Sequence, residues 1–145
     1  MLTDVHFDAL AIANDLRPVL VRLGRGLRKE AEQLGVTSRQ AALLALVDVS
    51  PGITASELSA AEGVSAPAMT KQVDRLEAAG YVERIRSVDD RRRVGLALTA
   101  EGDALLRRIK ARRTAWLADR LDRLEPEELR AIDGVLPLLR RLTEA

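Results

Sequence analysis

The sequence predicts a mainly α fold carrying one small β-hairpin, an α+β class, on three observations. Apolar residues recur at helical spacing over most of the chain, cap-forming residues precede those stripes, and residues 81–98 alternate in strand fashion around an arginine-rich turn. With 145 residues, one compact domain with a helical extension for assembly is expected. Apolar residues at 47% and charged residues at 31% give the chain enough material to bury a core.

From Asp8 to about Glu32, Ala9, Ile12, Leu16, Val19, Leu20, Leu23 and Leu27 mark one face of a helix, with a kink expected at Pro18 and an end at Gly35. Thr37-Ser38-Arg39-Gln40 has the form of a capping box, in which a hydroxyl and an amide side chain satisfy the orphan amides of a helix start. That helix runs to about Val49. After Ser50-Pro51-Gly52, Thr54-Ala55-Ser56-Glu57 repeats the pattern and opens a short helix closed by Gly63. Ser65 caps the next, with Pro67 in its first turn and Met69, Val73 and Leu76 facing inward; Gly80 ends it. Tyr81 to Arg86 and Val94 to Leu98 read as the two strands of the hairpin. Thr99 caps a long charged helix with Leu105, Ile109, Trp116, Leu117, Leu121 and Leu124 along one side. Pro126 starts the last helix, striped by Leu129, Ile132, Leu136, Leu139 and Leu142.

Composition removes several chemistries. Without cysteine there is no thiolate metal site and no thiol redox sensor. The single histidine, His6, stands near the terminus, and the carboxylate pairs Glu127-Glu128 and Asp89-Asp90 read as helix-start and turn residues, so neither catalysis, a metal nor a cofactor is expected. Phe7, Tyr81 and Trp116 are too few rings for a single-stranded nucleic-acid platform. No long uncharged apolar run occurs and the first residues lack the basic and apolar regions of a signal peptide, so a cytoplasmic protein with no membrane partner is expected.

The net charge of +1 does not announce a nucleic-acid binder; the distribution does. Short helix, tight turn, second helix with a small polar start, then an arginine-tipped hairpin is the order of a winged helix-turn-helix. A recognition helix enters the major groove by its N-terminal residues. Ala66, Pro67 and Ala68 leave room for close approach, while Ser65, Thr70 and Lys71 offer hydrogen-bonding groups and Gln72 and Arg75 extend toward bases or backbone. In the hairpin, Arg84, Arg86, Arg91, Arg92 and Arg93 stand against Asp89 and Asp90, with Arg92 suited to a narrow minor groove and Asp90 placed to orient it or a neighbouring guanidinium. A capped helix with a solvated face and a turn kept soluble by charge are the plainer readings of these segments taken singly. A winged helix used for protein docking is the alternative function.

Together these stretches resemble the MarR-type (multiple antibiotic resistance) transcriptional regulators: Glu57-Leu58-Ser59, Gly63-Val64-Ser65, Met69-Thr70-Lys71, Val73 through Val82, Asp89-Asp90-Arg91-Arg92 and Leu98 through Gly102, in that order over nearly the whole chain. The resemblance implies a homodimer whose terminal helices interlock, two winged domains on a pseudo-palindromic double-stranded operator, and repression relieved by a small ligand. It puts DNA contacts on Ser65, Pro67, Ala68, Thr70, Lys71 and Arg75 and on the Asp90 and Arg92 of the wing. Lys71 stands where the family commonly has arginine, which keeps charge but loses bidentate geometry. The implied organisation is a dimerisation helix over 1–36, a DNA-binding domain over 37–98 and dimerisation helices over 99–145. A ligand pocket would fall near Arg17, Leu20, Leu43 and Leu46, where apolar walls and one cation suit an aromatic acid. Leucine stripes at both ends also exceed what a winged domain can cover, so they require either a partner or one another.

Overall fold

The computed structural model describes residues 8–144, so His6 and Phe7 lie outside the described residues. Its elements are α1 (Ala9–Glu32), α2 (Ser38–Val49), β1 (Ile53–Thr54), α3 (Ala55–Glu62), α4 (Ala66–Ala78), β2 (Val82–Arg86), β3 (Val94–Leu98), α5 (Ala100–Leu121) and α6 (Pro126–Thr143).

The helix starts are set by local hydrogen bonds. Both capping boxes form: the Gln40 and Glu57 amides donate to Thr37 Oγ1 and Thr54 Oγ1 at 3.1 Å each, and their side chains accept from the threonine backbones. Asp8, Ser65 and Thr99 cap α1, α4 and α5 with their side chains. Gly63, at φ +63°, closes α3 in the left-handed conformation. Pro18 is accommodated inside one uninterrupted helical run. Leu124, expected on the α5 stripe, lies beyond the helix in the turn before Pro126.

The sheet differs from the expected hairpin. It has three strands in the order β1-β3-β2, because Ile53 and Thr54 pair antiparallel with Leu96 and Gly95 while β2 pairs with β3 from Val82↔Leu98 to Arg86↔Val94. A strand of two residues has no period to detect, which is why the alternation rule passes over it. Glycine makes the pairing feasible: a Cβ on Gly95 would stand 2.6 Å from the Gly52 carbonyl oxygen, and Gly52 itself turns at φ +88°.

The core lies where α2, α4, the sheet and the first half of α5 meet. Leu43, Leu44 and Val47, then Leu58, then Met69, Val73 and Leu76, then Val82 and Leu96, and finally Leu105, Leu106 and Ile109 are all buried. Ala31 brings the end of α1 onto this core. Farther out, α1 runs along α5: Arg112 bridges to Glu30 at 3.1 Å and Arg113 Nε donates to the Leu27 carbonyl at 3.1 Å. The indole of Trp116 lies against Gly26, where any Cβ would collide with the ring. By contrast α6 buries none of its residues. Among the described residues no helix is long and apolar enough to cross a membrane.

Candidate nucleic-acid interface

The N-terminal turn of α4 presents Ser65, Ala66, Pro67 and Ala68, all at least partly exposed. Ser65 Oγ accepts from the Ala68 amide at 3.3 Å, which leaves its hydroxyl proton for an outside acceptor. Thr70 Oγ1 donates to the Ala66 carbonyl at 3.0 Å, so it faces outward as an acceptor. Lys71 and Arg75 are exposed and enter no ion pair among the described residues. Gln72 behaves differently: its Oε1 is buried without a hydrogen-bond partner. Bidentate reading of adenine needs both ends of the amide, and in this position the acceptor end is turned inward.

The wing tip is a hydrogen-bonded turn. The Arg93 amide donates to the Asp90 carbonyl and the Ser87 amide to the Arg93 carbonyl, both at 3.0 Å. Asp90 Oδ1 accepts from the backbone amide of Arg92 at 3.0 Å. The expectation that Asp90 would orient a guanidinium is thereby corrected: it shapes the backbone of the turn, as Asx residues do, and through it the direction of Arg92. Arg86, Arg91 and Arg92 remain exposed and enter no ion pair among the described residues.

The other two wing arginines are engaged inside the chain. Arg84, on β2, holds both Asp74, at 2.7 Å, and Glu77 on α4. Arg93, just before β3, reaches Glu57 at 2.6 Å and the Gly52 carbonyl at 3.3 Å. The hydrogen bond to Asp74 foremost raises the Arg84 pKa above the usual arginine value, so this guanidinium stays charged. Glu57 is held below the usual carboxylate range by the Thr54 hydroxyl first, then the Thr54 amide, with Arg93 adding to it. Asp74 and Glu77 were not singled out from the sequence, and Glu57 was read as a capping-box residue without a role toward the wing. A signal was present: two carboxylates three residues apart on a helix facing DNA would repel it unless a nearby cation answered them.

The four residues expected around a ligand do not line either of two open surface clefts. Leu43 is sealed in the core, Leu46 is half-buried, and Arg17 and Leu20 are exposed on α1. One cleft, of about 350 Å³, lies between α1 and α5, walled by Arg22, Arg25, Lys29 and Trp116, with Arg120 stacked 3.6 Å above the indole. The other, of about 240 Å³, lies at the base of the wing by Gly52, Ile85 and Arg93.

A capped recognition helix beside a three-stranded wing, carried on long terminal helices, defines a winged helix-turn-helix protein. The pattern described as the MarR family matches residues 36–94. The chain is 34% identical over 136 residues to the HTH-type transcriptional repressor Rv2887 of Mycobacterium tuberculosis, covering 90% of this chain and 98% of the relative. It therefore belongs to the MarR family. Among solved structures, the transcriptional regulator Tm0710 from Thermotoga maritima superposes with a TM-score of 0.81 at 27% identity, covering 93% of this chain and 95% of that one. S. aureus MepR, in an F27L mutant bound to an oligodeoxyribonucleotide, shares the fold with a TM-score of 0.71 at 19% identity, covering 92% and 96%.

Proposed function

We propose that this chain is a cytoplasmic transcriptional repressor that binds double-stranded DNA as a homodimer, α4 entering the major groove of each half-site while Arg86, Arg91 and Arg92 follow the adjacent minor groove. The observation that carries it is the pairing of an exposed, small-residue N-terminus on α4 with a wing whose tip cations are left unpaired among the described residues. Ser65, Thr70, Lys71 and Arg75 supply the outward hydrogen-bonding groups, and the α4 N-terminus adds its attraction for phosphate. Two-fold symmetry would set the helices one DNA turn apart, roughly 34–36 Å. The terminal regions 1–36 and 99–145 would supply the dimer contacts. The relatives' role as transcriptional regulators favours binding over catalysis. Release by an aromatic acid at Arg17, Leu20, Leu43 and Leu46 would need the partner chain or a rearrangement to open the site, since Leu43 is sealed within the core.

The test is fluorescence anisotropy on a duplex that the wild-type protein selects from genomic fragments, with a scrambled duplex as competitor. Affinity should fall with salt at a log-log slope of about 0.9 per phosphate neutralised. A flat salt response, or no preference over the scrambled duplex, sinks the proposal. In the same assay Arg92→Ala should lower affinity about tenfold or more, the scale of losing one groove contact. Light scattering should give an unchanged mass; unaltered affinity would remove the wing tip from the contact.

A further inference from the structure

The proposed use of the wing assumes that it sits at a fixed height beside α4, yet the wing is a thin sheet edge whose outer strand β2 is exposed at every residue after Val82. Such a ribbon, with little buried apolar area, would swing. Two arginines tie it down at separate points. Arg84 reaches from the middle of β2 to the last turns of α4, holding Asp74 and Glu77 with different nitrogens. Arg93 reaches from the residue before β3 to Glu57 in the first turn of α3 and to the Gly52 carbonyl before β1. One anchor fixes the wing to the recognition helix and the other to the helix before it, so together they set both its distance and its angle.

We propose that Arg84 and Arg93 are positioning residues, clamps that hold the wing in register with α4, and that they do not contact DNA. This rests on the DNA-binding reading above. It divides the hairpin's arginines into two classes: Arg86, Arg91 and Arg92 face the ligand, while Arg84 and Arg93 face the protein. Three carboxylates that would otherwise repel DNA beside the recognition helix are answered at the same time.

The proposal is tested on the selected duplex by the sign of the acidic variants. Removing a negative charge beside a polyanion raises affinity if charge alone matters. If Glu57 is an anchor, Glu57→Gln lowers affinity instead, while Gln keeps the N3 capping form. We expect Glu57→Gln, Arg93→Gln and Arg84→Gln each to weaken binding roughly threefold to fivefold, the scale of an exposed ion pair. The Glu57→Gln/Arg93→Gln double variant should be no weaker than either single. The salt slope should stay at the wild-type value in each, with the urea midpoint lowered by no more than the loss of an exposed ion pair accounts for. A slope reduced by about 0.9 in Arg84→Gln or Arg93→Gln, or tighter binding by Glu57→Gln, overturns the clamp and makes these arginines phosphate contacts. If the wild-type protein selects no duplex, the DNA reading fails by itself. The clamp is then decided by amide hydrogen exchange over residues 84–94 of the free protein, which it requires to be faster in the Arg84→Gln and Glu57→Gln variants than in wild type; equal exchange overturns it.

Discussion

Ile132→Glu combined with Leu139→Glu should turn the proposed dimer into a monomer and lower operator affinity by about a hundredfold or more. On α6 the amphipathic stripe is left uncovered among the described residues: no residue of the helix is buried, and Val135, Leu138 and Leu142 are 41%, 56% and 68% exposed. The helix also contains Gly134 and Pro137, which disfavour a helix interior by about 1 and 3 kcal/mol. A stretch with that handicap holds its shape only against a tertiary partner, and Ile12, Val19 and Leu20, exposed along one side of α1, would offer a matching apolar face on a second copy. A carboxylate placed in such a contact must be desolvated, which costs several kcal/mol. Because two winged domains joined in one particle bind with an effective concentration that a single one lacks, losing the dimer removes the avidity. Light scattering reads the mass against 15.9 kDa per chain, and circular dichroism checks that the winged core survives. A double variant that keeps the dimer mass would show that α6 is not the contact.

Gly102→Ala should lower stability by about 2 kcal/mol, although alanine is the better helix former by about 1 kcal/mol. The reason is a close approach: a Cβ on Gly102 would stand 1.9 Å from the Tyr81 carbonyl oxygen. That same oxygen accepts from the Thr99 amide at 3.1 Å, and Thr99 Oγ1 both accepts from the Gly102 amide at 3.0 Å and donates to the Gly80 carbonyl. The methyl has backbone in front of it, not a flexible side chain, so the start of α5 must lift away from the turn between α4 and β2. A melting temperature lowered by roughly 4–8 °C is expected for a chain of this size. An unchanged or higher melting temperature would mean that the helix start shifts at no cost.

What the sequence made legible divides along the range of the interaction. Helix starts at Thr37, Thr54, Ser65 and Thr99 are decided within three residues, so the cap and its partner are visible together, and the inward faces of α4 and α5 follow from period alone. The same holds for the outward residues of the α4 N-terminus. The partners of Arg84 and Arg93 lie up to 41 residues away in sequence, and nothing local distinguishes a guanidinium bound for a phosphate from one bound for Asp74 or Glu57. Gly102 read as part of a motif, not as a contact, because the carbonyl it admits belongs to a turn that only the fold brings near. The ligand residues are the least legible: Leu43 is an apolar helix residue, and whether such a side chain lines a cavity or fills one depends on neighbours that periodicity does not supply.

Only Thr99 separates the end of β3 from the start of α5. With Thr99 hydrogen-bonded on both sides, that joint has no slack, so the wing is the short arm of a lever whose long arm is a helix of 22 residues, about 33 Å. A tilt of roughly 5° at the hinge carries the far end of such an arm by about 3 Å. In a two-fold assembly the traffic also runs backward: whatever changes the angle at which two stems cross is geared directly into the distance between the two reading heads, and so into which half-site spacing they can straddle.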